Sequence, residues 1–235
     1  MTLFGYGNTN KAIAKKGGCH IYDDKFTETS NDEYGNLLLP PTLFTQNDDF
    51  EVVTPGIPPH NELVKKAKNP ISDYDYFAKK MPFSIWISGT NGKTTTTEMC
   101  EHLLKNKGAV AGGNIGKAVG DLDSDAKIWI LETSSFTLHY TNVASPNIYI
   151  LLPITQDHIY WHGTFKEYEA SKLKPFCTMR EGELIIAPKM YENRPSDAKI
   201  IGYENTLDLA KVFDIDPTKI RFKEPFLSDA MLALA

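Results

Sequence analysis

Residues 87–97 read ISGTNGKTTTT, a segment in which two glycines, a lysine and a run of threonines follow an apolar stretch. The strict Walker phosphate loop has a glycine, any four residues and then Gly-Lys-Thr, which here would require a glycine at position 87. That position holds Ile87, and the nearest earlier glycine is Gly89. The segment is therefore either a shorter loop built for the same kind of anion or a glycine turn before an ordinary helix.

A phosphate-binding loop is the interpretation that we favour, because an apolar strand delivers the glycines and a helix is predicted to begin at about Lys93. Successive backbone N–H groups and the helix N-terminus would form a cradle for an anion, and glycines let phosphate oxygens approach the main chain. Lys93 would neutralise the β- and γ-phosphates, and the Thr94 hydroxyl would bind Mg²⁺. The alternative is a lysine that is simply solvated on a helix.

Two further side chains are predicted at the same edge of a sheet. The apolar residues 128–131 lead to Glu132, and another apolar strand leads to Asp157 and His158. Open parallel sheets bind ligands at the carboxyl ends of their strands, where an acidic side chain can hold Mg²⁺. An acid after an apolar strand is common, and a lone histidine is usually an ordinary residue. The shared position nevertheless makes Glu132 and His158 candidate metal ligands.

Two other glycine-containing segments give weaker signals. Asn114 lies in GGNIG, where a binding loop and a bare turn are both consistent with the local sequence. Near the N-terminus, GYGNTN resembles a dinucleotide fingerprint, but Asn10 replaces its third glycine and the expected acid appears early, at Asp23. We interpret this turn, which contains Asn8 and Thr9, as a nucleotide-diphosphate site rather than an NAD site. A βα turn without a ligand is the alternative.

The composition limits the class of protein. The chain has 235 residues, of which 41% are apolar and 23% charged, and its formal net charge is −5 at pH 7. These values are typical of a globular protein with one large domain or two modest ones. Binding to nucleic acid requires clustered Lys and Arg, which an acidic chain of this kind does not favour. We expect a small-molecule ligand and no nucleic acid.

Cysteine spacing and hydropathy indicate the compartment. Cys19, Cys100 and Cys177 lie far apart without CxxC spacing, so neither a disulfide framework nor a zinc site is predicted. The longest apolar run, residues 148–154, is too short to cross a bilayer, and the N-terminus lacks the pattern of a signal peptide. We expect a soluble cytoplasmic protein without membrane insertion.

The pattern of apolar runs predicts an α/β fold in two domains. Residues 1–80 alternate short apolar runs with glycine turns and short helices, which predicts a small Rossmann-like domain with a mainly parallel sheet. The run ISDYDYF, residues 71–77, is one of these apolar runs. Residues 81–235 contain continuous apolar strands, which indicate a P-loop-type α/β domain with a mostly parallel sheet covered on both faces.

Two expectations concern the later part of the chain. One helix is expected over roughly residues 164–179. The chain ends in an apolar helix without a cap or a polar tail, so we expect that it was cut within a longer protein and that the second domain is incomplete.

Four ordered motifs resemble the Mur ligases, which build the peptide stem of bacterial cell-wall precursors. The loop of that family is GTNGKTT, which residues 89–95 match letter for letter. The motifs GGNIG at 112–116, LETSSF at 131–136 and T-x-D-H at 155–158 follow in the family's order, so the resemblance covers almost the whole chain. The G-x-G-x-T opening and VVTPGIP at 52–58 are similar to the members that add D-glutamate to UDP-N-acetylmuramoyl-L-alanine.

The resemblance implies an ATP-dependent ligase that forms an amide. The γ-phosphoryl group would pass to the carboxylate of UDP-N-acetylmuramoyl-L-alanine, and the amine of D-glutamate would attack the acyl phosphate. Positioning and charge neutralisation are most of what such a transfer requires. ATP and two Mg²⁺ ions would be the cofactors of a monomeric protein of the bacterial cytoplasm. The ATP-binding residues would be Gly89, Thr90, Asn91, Gly92, Lys93, Thr94 and Thr95.

The resemblance also assigns individual roles. The catalytic residues would be Lys93, Glu132, His158 and Lys172. Thr94 and Glu132 would hold the first Mg²⁺, and His158 would serve the second. Lys172 falls where the family has a lysine that becomes a carbamate, which would bind Mg²⁺ where an ammonium would repel it. A solvated helix lysine is the alternative, and Lys174 lies nearby. The UDP-sugar would contact Asn8, Thr9, Asp23 and Asn114.

Several positions depart from the family pattern. The family has Asn at the position of Pro153, an acidic residue and Arg at those of Tyr160 and Trp161, and Asn near the adenine at that of Asp229. We expect the family's third domain, which binds the incoming amino acid, to be missing from this chain. We therefore expect a fragment that binds the UDP-sugar, and ATP weakly, but does not complete ligation.

Three alternative classes follow from the same residues. Another ligase of the superfamily would add a different amino acid or act on a folate, although folate ligases lack the UDP-binding front segment. A P-loop kinase or GTPase would require a strict Walker loop or a guanine-reading N-K-x-D, and the chain has neither. The third class is a non-catalytic module that binds a nucleotide sugar.

Overall fold

Two six-stranded sheets follow one another along the chain in the computed structural model, which describes residues 1–235. The strands of the first sheet are β1 (Thr2–Phe4), β2 (His20–Tyr22), β3 (Ser30–Asn31), β4 (Leu37–Leu39), β5 (Glu51–Val53) and β6 (Pro70–Ile71). The strands of the second sheet are β7 (Phe83–Ser88), β8 (Ala109–Gly113), β9 (Ile128–Glu132), β10 (Ile148–Leu151), β11 (Leu184–Pro188) and β12 (Lys199–Tyr203).

Ten α-helices and six 3-10 helices connect the strands. The α-helices are α1 (Asn8–Ala14), α2 (Glu62–Lys66), α3 (Asp73–Phe77), α4 (Lys93–Leu104), α5 (Ser135–Tyr140), α6 (Ile159–His162), α7 (Phe165–Leu173), α8 (Pro175–Thr178), α9 (Thr206–Phe213) and α10 (Phe226–Leu234). The 3-10 helices are Pro41–Leu43, Ala78–Lys80, Lys105–Lys107, Val119–Asp121, Lys189–Tyr191 and Pro217–Lys219. None of the helices has both the length and the apolar character that a membrane crossing requires.

Both sheets are mostly parallel, which confirms the predicted α/β class. The first sheet has the order β3-β4-β2-β1-β5-β6, and its one antiparallel pair is β3 with β4. The second has the order β12-β11-β10-β7-β9-β8, and every neighbouring pair is parallel. The carboxyl ends of β10, β7 and β9 therefore lie side by side in the middle of this sheet, where a ligand is expected.

Three local predictions differ from the structure. The run ISDYDYF is mostly the helix α3, because the Ser72 side chain caps it by accepting a hydrogen bond of 3.1 Å from the Asp75 N–H. The single helix expected over residues 164–179 is two helices, since Pro175 has no N–H to continue the helical hydrogen bonds. Strand β8 was missed because its sequence, AVAGG, has only small apolar side chains.

The second sheet is covered on both faces. On β7, Trp86 belongs to a cluster of 24 buried residues that also contains Leu3 and Val52 of the first sheet. Ile85 and Ile87, which point to the opposite face, belong to a second cluster that lies under α4 and α10. This two-sided burial explains the continuous apolar strands. Because one cluster joins both sheets, the division into domains at residue 80 stays a prediction.

Replacing Trp86 with Ala tests this shared core. The Trp86 ring is fully buried and packs edge-on against Tyr74, with ring centroids 4.7 Å apart. We expect Trp86→Ala to lower the free energy of unfolding by about 3–5 kcal/mol, measured by guanidinium titration. The control Val143→Ala removes a side chain that is 68% exposed and should change it by less than about 0.5 kcal/mol. Equal effects of both substitutions would contradict the shared core.

Candidate functional site

The predicted phosphate loop lies between β7 and α4. Gly89 has φ 139° and Gly92 has φ 85°, values that glycine adopts readily and other residues rarely. A Cβ atom on Gly89 would lie 2.6 Å from Leu152 Cβ, and one on Gly92 would lie 2.5 Å from Asp229 Oδ1. Helix α4 begins at Lys93, as expected. Both glycines are therefore required by the backbone conformation and by close packing.

Lys93 folds back onto this loop. Its Nζ donates hydrogen bonds to the carbonyl oxygens of Thr90 at 2.8 Å and Gly89 at 3.2 Å. Burial lowers the pKa of Lys93, whereas the negative charges of Glu132 and Asp157 raise it. The cationic group thus lies against the loop that would carry the phosphates.

Glu132 accepts two hydrogen bonds at the end of β9, the strand next to β7. Its carboxylate is buried, with the residue 2% exposed, and Oε2 accepts from the Thr94 hydroxyl at 2.6 Å. Oε1 accepts from Asn114 Nδ2, also at 2.6 Å. The structure therefore brings the two predicted ligands of the first Mg²⁺ into contact. It adds Asn114, which sequence reasoning had assigned to the UDP-sugar alone.

Lys172 is buried beside the same loop. The residue is 2% exposed, and its Nζ donates to the Gly89 carbonyl at 2.8 Å. Burial, reinforced by the positive charge of Lys93, lowers the pKa of Lys172 to about 7, although Asp157 and Glu132 oppose the shift. Lys174 instead donates to the backbone carbonyls of residues 139 and 141. The alternative of a solvated helix lysine at position 172 is therefore wrong.

His158 lies at the same edge of the sheet but does not contact the other candidates. It has the left-handed φ of 52°, and its half-buried ring lies 4.8 Å from that of Phe136, measured between centroids. Its Nδ1 lies 3.5 Å from Asp157 Oδ1. No group of three His, Cys, Asp or Glu residues is placed to hold a metal ion.

The donor set fits one magnesium ion. Mg²⁺ prefers oxygen ligands and is usually held by one or two carboxylates, with water and substrate phosphates completing its shell. The Thr94 hydroxyl and the Glu132 carboxylate supply such oxygens next to the loop. A second ion held by His158 and a carbamate of Lys172 stays a prediction, because no contact joins those two side chains.

The residues that depart from the family pattern have structural partners. The Pro153 carbonyl accepts a hydrogen bond of 3.1 Å from the Thr90 N–H and so holds the loop. The Trp161 ring is buried and stacks on Phe136, with centroids 4.5 Å apart, while Tyr160 is exposed. Asp229 is buried beside Gly92, and burial raises the pKa of its carboxyl group.

Two cavities lie near the predicted site residues. The first, of about 400 Å³, is lined by loop residues, including Asn91 and Thr95, and by α10 with Asp229. The second, of about 220 Å³, is lined by residues that follow strands of both sheets. The predicted UDP-sugar residues that line this second cavity are Asn8, Thr9 and Asn114.

Asp23, the fourth residue predicted for the UDP-sugar, lies outside the second cavity. Its Oδ2 accepts from the Tyr6 N–H at 2.6 Å and its Oδ1 from the Lys25 N–H at 2.9 Å. It therefore sits beside the GYGNTN turn, at the end of β2. Sequence reasoning missed Asp73 and Tyr74, which do line the cavity. Their one signal was the capping serine before them, which indicates a helix start and no ligand.

A family model and related proteins match the sequence of this chain. Residues 87–206 match the Mur ligase middle domain. A UDP-N-acetylmuramoylalanine--D-glutamate ligase of Campylobacter jejuni subsp. jejuni serotype O:6 is 55% identical over 241 residues, covering 100% of this chain and 60% of that protein. The ligase of the same name from Helicobacter pylori (strain HPAG1) is 41% identical over 250 residues, covering 100% of this chain and 59% of that protein.

One solved structure shares the fold. The UDP-N-acetylmuramate:L-alanyl-gamma-D-glutamyl-meso-diaminopimelate ligase from Neisseria meningitides superposes with a TM-score of 0.53 at 14% identity, covering 87% of this chain and 78% of that one. At this identity the likeness concerns the fold alone.

The parallel sheet, its glycine loop and the Thr94–Glu132 contact define a P-loop-type α/β protein. Within that class, the chain belongs to the Mur ligase family, as the four ordered motifs predicted. The chain spans about 60% of the length of the curated relatives described above.

The buried His162 gives a prediction on pH. Its Nε2 lies 3.0 Å from Ser135 Oγ, and burial lowers its pKa from 6.5 to about 4. Between these values the unfolded chain binds a proton that the folded chain does not, so stability falls as the pH falls. As the pH falls from 6.5 towards 4, we expect the free energy of unfolding of wild type to decrease relative to that of His162→Gln, whose side chain does not titrate in this range. Urea titrations at several pH values would measure both free energies. A constant difference between the two proteins would contradict the prediction.

Proposed function

We propose that this chain is part of an ATP-dependent ligase that joins D-glutamate to UDP-N-acetylmuramoyl-L-alanine through an acyl phosphate. The observation that carries this proposal is the contact of Thr94 and Asn114 with Glu132, because it links the phosphate loop to the UDP-sugar cavity. The identity of 55% to a ligase of that name supports the choice of substrates.

The nucleotide triphosphate would occupy the glycine loop. The backbone N–H groups of residues 89–95 would bind the phosphates, and Lys93 would exchange its present carbonyl partners for phosphate oxygens. The adjoining cavity of about 400 Å³ has room for the adenine, with Asn91, Thr95 and Asp229 in its wall. Thr94 and Glu132 would hold a Mg²⁺ ion, which supplies neutralisation of the phosphoryl charge.

Lys172 is the proposed site of a carbamate. A neutral amine is the form that attacks CO₂, and a pKa of about 7 leaves a large neutral fraction at physiological pH. The amine nitrogen bonds to the carbon of CO₂ and releases one proton. The product is a carboxylate at the Gly89 carbonyl, where His158 and a second Mg²⁺ would complete the site.

The nucleotide sugar would bind mainly to residues 1–80, and ATP to residues 81–235. One cavity is lined by Asn8, Thr9 and Asn114. Its Asn114 side is close to Glu132, because Asn114 Nδ2 donates a hydrogen bond to the Glu132 carboxylate. The carboxylate of the precursor would thereby approach the γ-phosphate at Lys93. Asp23, at the end of β2, would contact the nucleotide end. We infer a monomer in the bacterial cytoplasm, where the three free cysteines stay reduced.

Calorimetric titration with UDP-N-acetylmuramoyl-L-alanine tests the proposal. We expect saturable binding to the 235-residue chain, and about tenfold weaker binding by Asn8→Ala because an amide that lines the cavity is lost. Asn47→Ala, outside the cavity, is the control and should bind as wild type does. A titration without saturable heat would exclude the proposed substrate.

Lys93→Ala tests the phosphate loop. Loss of the ammonium group should weaken binding of Mg·ATP by about tenfold or more, because Lys93 is the lysine of the loop itself and its Nζ lies against the Thr90 and Gly89 carbonyls. The matched control is Lys107→Ala, in an exposed segment at the far end of the helix, which should leave binding unchanged. Fluorescence anisotropy with a labelled ATP analogue would measure both. Unchanged affinity of Lys93→Ala would remove the loop assignment.

A further inference from the structure

A buried carboxyl group in the cavity of about 220 Å³ has no role in the function proposed above. Asp73, the first residue of α3, is 4% exposed, and its Oδ1 atom is buried without a hydrogen-bond partner. Buried polar atoms are almost always paired, and an unpaired one costs about 1–3 kcal/mol. Asn10 and Glu51 also have an unpaired buried oxygen, but neither lines this cavity.

The surroundings of Asp73 indicate what kind of group it faces. None of the 12 residues that line the cavity is Lys, Arg or His. Burial raises the pKa of Asp73 to about 7, although the backbone N–H groups of Tyr74 and Asp73 itself lower it. Without a neighbouring cation, a diphosphate would be repelled by an ionised carboxylate here. The partner that suits the carboxyl group is an uncharged donor, such as a hydroxyl or an amide N–H.

The position of Asp73 in the cavity indicates which part of the proposed substrate lies next to it. Asn8 and Thr9 line the cavity from the turn after β1, the proposed diphosphate site. Asp73 precedes Tyr74, whose hydroxyl donates to the Glu132 carbonyl at 3.3 Å, so the start of α3 lies on the Glu132 side. In the proposed substrate, the amino sugar stands between the diphosphate and the carboxylate that reacts.

We propose that Asp73 is a specificity-determining residue whose carboxyl group hydrogen-bonds to a hydroxyl or acetamido N–H of the amino sugar. This inference rests on the proposed function. It predicts that Asp73 distinguishes the sugar-bearing ligand from the bare nucleotide, because the diphosphate is assigned to Asn8 and Thr9 and the nucleotide end to Asp23.

Calorimetry with two ligands tests the inference. UDP-N-acetylmuramoyl-L-alanine and UDP are titrated separately into wild type, Asp73→Ala and Asp73→Asn. We expect Asp73→Ala to bind the sugar-bearing ligand about tenfold more weakly, while its affinity for UDP changes by less than about twofold. Asp73→Asn should recover part of the loss, since its amide oxygen still accepts a hydrogen bond. Asp73→Ala should not melt at a lower temperature than wild type, because it removes a buried oxygen that has no hydrogen-bond partner.

The matched control is Asp75→Asn on the same helix. The carboxylate of Asp75 accepts hydrogen bonds of 2.7–2.9 Å from the N–H groups of residues 142–144 and does not line the cavity. This variant should melt at a lower temperature and bind both ligands as wild type does.

Three results would overturn the inference. Asp73→Ala could bind the sugar-bearing ligand as tightly as wild type does. Both affinities could fall together with the melting temperature, which would indicate a structural role. If Asp73→Ala does not fold, Asp73→Asn decides the question. A lower melting temperature of Asp73→Asn, with the wild-type ratio of affinities for the two ligands, would also indicate a structural role. Wild type that binds neither ligand would instead remove the proposed function, and this inference with it.

Discussion

The buried carboxylate of Glu132 is the group on which the organisation of the site depends. A carboxylate that is 2% exposed is unfavourable unless its oxygens are paired, and here one hydroxyl and one amide pair them. Thr94 belongs to the first turn of α4, and Asn114 follows β8, so a single side chain fixes the helix and the neighbouring loop relative to β9. The parallel register of β7 and β9 brings that side chain next to the glycine loop.

The Gly89 carbonyl shows a related feature of the charge distribution. Both Lys93 and Lys172 donate hydrogen bonds to this one oxygen, so two lysine amino groups meet at a backbone carbonyl that carries no formal charge. Their mutual repulsion contributes to the lowered pKa of Lys172. Bound phosphate, or a carbamate on Lys172, would each reduce the excess of positive charge. ATP binding and carbamate formation, both proposed above, would therefore have the same electrostatic effect, since each places negative charge beside the two lysines.

Features fixed by local sequence were predicted well. The strand before Gly89, the helix that begins at Lys93 and the strand that ends at Glu132 follow from apolar runs, glycines and helix-start preferences within a few residues. Four short motifs in order are local features of the same kind, and the family that they predicted is confirmed.

Features that depend on sheet order were not predictable in this way. The Asn114–Glu132 contact joins residues 18 positions apart and exists because β8 and β9 are neighbours. The burial of Lys172 against Gly89 depends on the packing of α7 against the loop, 83 residues earlier in the sequence. Asp73 is an ordinary helix-start acid by sequence. In the structure it lines the cavity with an unpaired oxygen, whereas Asp75 accepts backbone hydrogen bonds from residues 142–144.

The cluster of 24 buried residues that includes Leu3, Val52 and Trp86 has a mechanical consequence. Moving the two sheets apart would expose this apolar surface to water, which is unfavourable in proportion to the area exposed. The same packing contributes to the spacing between Asn8 and Asn114, which line one cavity from the first and the second sheet. For the proposed nucleotide-sugar ligand, a core substitution distant from the cavity would therefore change the distance that the ligand has to span between Asn8 and Asn114.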